Sequence, residues 1–273
     1  MNLTTPLGLI VGFGALLLGL ILEGGAVSSF MEPSAAVIVF GGTIGATLIS
    51  FPGSIISQLP KSILTAFVFK MESATELANV MVGLAERARR EGLLALEEEI
   101  PGIENPLLKK GVMLVVDGTD PDLVRGVLEA DIAVREREGE GGSGLLEAMG
   151  GYAPTMGIIG TVMGLVNVLG HMTDPSRLGE SIAVAFIATF YGIGSANLMW
   201  LPLGSKLKKQ AEIAGLLDEM IMEGLGSIQS GENPRILQER LQPYLPKKAA
   251  SKAKKEQEAN VGGATAREGF QPG

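Results

Sequence analysis

The chain has 273 residues, 46% hydrophobic and only 19% charged, and its mean hydropathy of +0.32 is too high for a water-soluble protein of this size. It contains no cysteine, which excludes disulfides and thiolate metal sites, and a single histidine, His171, which excludes a histidine metal cluster. A net charge of -8, with no basic face outside the last residues, excludes nucleic acid as a partner.

From the N-terminus, the charge-free windows Leu3 to Leu22 and Ser34 to Phe51 predict two membrane-spanning helices, since a span needs roughly 20 apolar residues. MNLTTP has no Lys or Arg and no small-residue cleavage site follows, so the first helix is expected to be retained rather than removed as a signal peptide. Their connector, EGGAVSSFMEP, has no basic residue, whereas Lys61 and Lys70 follow the second span. The polar block that comes next reads as helical. SIISQLPKSILTAFVFK suits a helix lying at the membrane interface. ATELANVMVGLAERARREGLLALEEE places Leu77, Val80, Met81, Leu84, Ala85 and Ala88 on one apolar face. Thr119, Asp120, Pro121 and Asp122 form a helix start, with a capping residue, proline in the first turn and acids at the positive helix end. The glycines of REGEGGSG should weaken that helix before it reaches the third span, at roughly 1 kcal/mol each against Ala.

Two further apolar windows, Gly150 to Gly170 and Ser181 to Leu203, predict the third and fourth spans, joined by HMTDPSRLGE. At helical spacing the third aligns Pro154, Gly157, Thr161 and Gly164, beside a row of Gly160, Gly164, Asn167 and His171; the fourth aligns Ala185, Thr189, Gly192 and Ala196. Small faces let helix backbones approach closely in lipid. Thr161 and Thr189 either bond their own backbone one turn back or line a polar path. No Asp, Glu, Lys or Arg stands in the middle of any span, so an ion-binding carboxylate has to come from another chain. Arg135 and Arg137 precede the third span and Lys206, Lys208 and Lys209 follow the fourth, which puts the block and both termini in the cytoplasm.

The chain is therefore expected to be all-α and polytopic: spans one and two in 1–52, a cytoplasmic helical domain in 53–149, spans three and four in 150–204, a helical segment in 205–245 and a disordered tail in 246–273. The tail's lysines have membrane lipid within their chemistry, although solvation suits them as well. With no Walker loop, Cys nucleophile or His-based acid–base pair, no catalytic constellation is present.

AERARREGLLALEEE, GVMLVVDGTDPDLVRGVLE, GGYAPTMGIIGTVMGLVNVL and AVAFIATFYGIGSANLMWLPL, in this order around four spans, resemble the MotA/PomA family, the larger stator subunit of the bacterial flagellar motor. The resemblance implies an inner-membrane homopentamer around a MotB-type partner whose Asp binds the coupling ion, H+ or Na+, with no other cofactor. Two hydroxyls, Thr161 and Thr189, incline the choice toward Na+. It also implies that Arg89 and Glu97 contact the rotor protein FliG, with Arg87, Arg90 and Glu98 sharing the role, and that Pro154 and Pro202 are hinges, a helix boundary being the alternative for Pro202. Gly157, Gly160, Gly164, Ala185, Gly192 and Ala196 are then expected to pack against the partner helix. An ExbB/TolQ-like energiser of outer-membrane processes, a non-conducting scaffold and a self-contained transporter are the competing functions.

Overall fold

The computed structural model describes residues 3–68, 72–170 and 175–246, so His171, the first part of the HMTDPSRLGE connector and the tail beyond 246 lie outside the described residues. Among the described residues there are helices and no strands. The helices are α1 (Thr4–Leu22), α2 (Pro33–Ala36), α3 (Gly42–Ser50), α4 (Gly53–Ile56), α5 (Leu59–Val68), α6 (Ala74–Glu91), α7 (Pro106–Val116), α8 (Pro121–Gly170), α9 (Pro175–Ser195), α10 (Leu201–Gln229) and α11 (Pro234–Leu241). A π-helical turn, Val37–Gly41, joins α2 to α3, and another, Ala196–Trp200, joins α9 to α10. Four helical stretches are long and apolar enough to cross a membrane, as expected.

The chain folds as two compact units, residues 1–70 with 136–211, and residues 71–135 with 212–273. This differs from boundaries at 52 and 149. Residues 53–70 belong with the spans because α5 buries Ala66 against Leu145, Leu146 and Met149 of α8 and Leu203 and Leu207 of α10. The expected interfacial helix is two pieces, α4 and α5, with Pro60 in the first turn of α5, where a missing N–H costs nothing.

In the span-bearing unit, α1 is almost wholly uncovered, with Ile10 70% and Leu22 78% exposed, as a helix facing hydrocarbon should be. The glycine-rich stretch REGEGGSG does not weaken α8, which runs unbroken from Pro121 to Gly170. The cost of these glycines is offset by close packing. A Cβ on Gly142 would lie 2.6 Å from Ser62 Oγ, and one on Gly139 3.1 Å from Ala211 Cβ, so the small residues admit α5 and α10 against α8. Pro202 is likewise no boundary, because helix continues on both sides of it. Its ring collides with the carbonyl four residues back in a regular α-helix, and the π turn Ala196–Trp200, immediately before it, widens the backbone there.

The second unit has a water-soluble type of core. Met81 and Leu84 of α6, Leu108 of α7, Leu128 of α8, Ile221 of α10 and Leu237 of α11 are buried together, each stabilising the fold by about 1.5–3 kcal/mol. The helix start at Thr119–Asp122 is built as read, with Asp120 accepting from the Asp122 N–H at 2.9 Å, and the structure adds two more, Asn105 and Asn233, each before a proline, which cap α7 and α11. On α6 the buried face is Leu77, Ala78, Met81, Leu84 and Ala85, whereas Val80, expected on it, is 44% exposed because it falls one step around the helix from that row.

Asp218 on α10, its side chain only 7% exposed, accepts from Arg135 Nη1 at 2.8 and 3.1 Å. Burial raises the Asp218 pKa above the ordinary carboxylate range, and Arg135 pulls it back down. A raised folded-state pKa favours the folded protein below the unfolded value, and that advantage disappears as pH rises through the folded value. Arg135→Ala removes the lowering influence, so it should cost about 1–3 kcal/mol near neutral pH and less at acidic pH. Thermal unfolding of the purified full chain at both pH values tests this, and an equal loss at both contradicts it.

Candidate functional site

The span-bearing unit holds a seam between α8 and α9. A Cβ on Gly157 would lie 2.8 Å from the Ala188 carbonyl oxygen and 3.3 Å from Gly192 Cα; one on Gly192 would lie 2.5 Å from the Ala153 carbonyl oxygen; one on Gly164 would lie 2.7 Å from Ala185 Cβ. Gly160 approaches Ala188 and Ile38, and Ala196 is fully buried. These small residues fit one another within a single chain. Within this chain Gly157, Gly164, Ala185 and Gly192 pack against the adjoining span, as small faces in lipid do.

The close approach concentrates oxygen atoms. Thr161 Oγ1 lies 3.2 Å from the Gly157 carbonyl oxygen, 2.9 Å from the Ala185 carbonyl oxygen and 2.5 Å from Thr189 Oγ1. Thr161 reaches its own backbone one turn back and also meets the second hydroxyl across the seam. Two hydroxyl protons serve this oxygen cluster, so one acceptor position is always under-filled. The sequence named the two threonines but not the Gly157 and Ala185 carbonyls. Their signal was the smallness of those residues, which leaves carbonyls uncovered.

Pro154 lies inside α8, and its lack of an N–H leaves the Gly150 carbonyl without its helical donor. Gly150 itself is pressed against Leu201, whose Cδ2 would be 2.4 Å from a Cβ there. Two residues before Pro154, the Tyr152 hydroxyl meets that of Ser50 at 2.7 Å, a pair that sequence spacing gave no means of finding.

The second unit carries the five charged candidates, Arg87, Arg89, Arg90, Glu97 and Glu98. α6 ends at Glu91, not at Glu99 as the continuous amphipathic pattern suggested, because Gly92 adopts φ +86°, which a side chain resists. The chain turns there into a 3-10 helix, Leu93–Gly102, anchored by fully buried Leu96. Arg87 then donates to Glu91 at 3.2 Å and also to Glu98 and Glu99. These acids, Glu99 foremost and then Glu98, raise the Arg87 pKa above its ordinary value. Arg87 and Glu98 are thus spent on each other, whereas Arg89, Arg90 and Glu97 are exposed and make no ion pair among the described residues. Of five charges expected to act alike, the fold separates an internal clamp from a free set.

Charge-free spans joined by a small-residue seam with a hydroxyl cluster, together with a separate helical unit bearing exposed charge, define a multi-pass membrane subunit of the ion-channel type. The profile of the MotA/TolQ/ExbB proton channel family matches residues 99–220, and that of the motility protein A N-terminal region matches residues 6–92. Motility protein A of Bacillus subtilis is 35% identical over 96% of this chain and 97% of its own length, and chemotaxis protein PomA of Vibrio alginolyticus is 38% identical over 90% and 96%. The solved MotAB structure from C. jejuni superposes with a TM-score of 0.86 at 30% identity, covering 90% of this chain and 97% of that one. The chain belongs to the MotA/TolQ/ExbB proton channel family, in its flagellar stator branch.

Proposed function

We propose that this chain is the ring-forming subunit of an ion-driven flagellar stator, assembled as a pentamer around the membrane helices of a MotB-type partner in the inner membrane, with both termini and the charged unit in the cytoplasm. The observation that carries this reading is the contact between Thr161 and Thr189, 2.5 Å apart, in spans that contain no Asp, Glu, Lys or Arg. Such a pair can pass or steady a cation but cannot hold a proton by itself, so the carboxylate belongs to the partner. The match to the motility protein A N-terminal region favours the flagellar branch over an ExbB/TolQ-like energiser.

The coupling ion is H+ or Na+. Two hydroxyls beside two backbone carbonyls are hard oxygen ligands, which suit a dehydrated sodium ion. Swimming of cells whose only stator contains this chain should stop in sodium-free medium, and undiminished swimming there refutes the sodium assignment. Pro154 and Pro202 lie where the spans lead into the rest of α8 and α10, and bending at either would pass movement along these helices.

Torque passes to FliG through the exposed charges Arg89, Arg90 and Glu97, because weak, unpaired surface charges form and break contacts readily. Arg87 acts by holding Leu93–Gly102, which carries Glu97, against α6, which carries Arg89 and Arg90. Arg87→Ala should speed amide hydrogen exchange across residues 93–102, and Arg89→Glu should lower torque while leaving that exchange unchanged. Unaltered exchange in Arg87→Ala contradicts the clamp; unaltered swimming in Arg89→Glu contradicts the rotor contact.

A further inference from the structure

An apolar groove of about 570 Å³ opens in the span-bearing unit, between α1 and the helices of the second and fourth spans. Phe13, Leu16 and Leu20 of α1 form one wall, Phe40 and Phe190 the other, and Glu23 stands at one end. The groove is built, not a gap left by loose packing. α1 touches the π turn before α10 closely at Gly12, where a Cβ would lie 2.9 Å from Leu198 Cδ2. Farther along, Phe30 and Phe190 meet edge to face at 5.1 Å, and Tyr191 donates to the Phe30 carbonyl oxygen, pinning the connector against α9.

Three properties identify the occupant. An apolar void at hydrocarbon depth forfeits dispersion contacts on every lining atom, and lipid is the apolar material at hand to fill it. The lining follows α1 from Phe13 to Glu23, about 15 Å at about 1.5 Å per residue, which is half of an about 30 Å hydrocarbon core and hence the depth of one leaflet. Finally, the end of the groove is acidic: Glu23 lines it, Glu32 follows on the same connector, and the connector from Glu23 to Pro33 has no Lys or Arg. A carboxylate rim repels an anionic headgroup and pairs with an ammonium.

We propose that this groove is a phospholipid site, in which one acyl chain lies between α1 and the neighbouring spans while the ammonium of an ethanolamine headgroup pairs with the Glu23 carboxylate. The site does not depend on the coupling ion or the rotor contact. Its test uses the intact stator complex in vesicles doped with phosphatidylethanolamine or phosphatidylglycerol carrying a photoactivatable acyl chain, with labelled peptides mapped. Phosphatidylethanolamine should label the peptides that contain Leu16, Leu20 and Phe190 above the rest of the lipid-facing surface. Gly19 and Gly194 line the groove from opposite walls, and nothing lies within 4 Å of a Cβ at either. Gly19→Phe and Gly194→Phe should therefore each reduce that labelling about tenfold by filling the space, and Glu23→Gln should erase the preference for ethanolamine over glycerol. Uniform labelling unaffected by either filling variant overturns the site. So does covalent cross-linking between copies from a photoactivatable residue in place of Gly19, which would show that a second copy occupies the groove.

Discussion

Gly192→Ala is expected to lose most of the assembled, detergent-stable protein, whereas Gly151→Ala on the neighbouring helix keeps it. The added Cβ at 192 would stand 2.5 Å from the Ala153 carbonyl oxygen and 3.1 Å from Gly157 Cα, and both are backbone atoms that no rotamer change can move aside. The spans must separate instead. Overpacking of this kind costs about 1–3 kcal/mol, and in lipid there is no hydrophobic force between helices to make up the loss. Separation would also pull apart Thr161 and Thr189, which share the seam with Gly157 and Gly192. Gly151 is exposed and nothing lies within 4 Å of a Cβ there, so Ala at that position gains up to about 1 kcal/mol of helix propensity. Size-exclusion profiles after graded heating distinguish the two variants, and equal thermal stability would refute the seam as described.

Thr161→Val and Thr189→Val should each abolish swimming while the complex still assembles. Valine keeps the shape of threonine and removes the oxygen. In Thr161→Val the Thr189 hydroxyl loses the only partner it has among the described residues, and in Thr189→Val the Thr161 hydroxyl keeps the Gly157 and Ala185 carbonyls. The first should therefore be the less stable single variant, by about 0.5–2 kcal/mol. The double variant leaves no stranded hydroxyl and should recover part of that stability without recovering motility. This pattern separates a role in ion passage from a role in packing. Swimming at the normal speed in the double variant would show that the hydroxyls only hold the helices together.

Much of the fold is legible in one dimension because lipid imposes a simple rule: a spanning segment needs a long run without charge, and four such runs stand out. Helix starts at Asn105, Asp120 and Asn233 are equally local, since a capping side chain and the amide it serves lie two or three residues apart. The glycines of REGEGGSG mislead for the opposite reason. Intrinsic propensity predicts a weak helix, but the benefit of a glycine there lies on other elements, Ser62 and Ala211, which are distant in sequence.

By itself the sequence determined the class of protein, the number and order of its spans, the lack of any carboxylate within them, and the two threonines that mark the polar point. Each of these is a property of one residue or one short window. The tertiary structure alone decided which small residues face each other, that the Gly157 and Ala185 carbonyls join the threonine hydroxyls, and that Arg87 clamps Glu98 and Glu99 while Arg89, Arg90 and Glu97 stay free. The physical reason is the same in each case. A helical wheel shows which way a side chain points, but hydrogen bonds and ion pairs act over about 3 Å, and only packing brings atoms from separate elements to that distance.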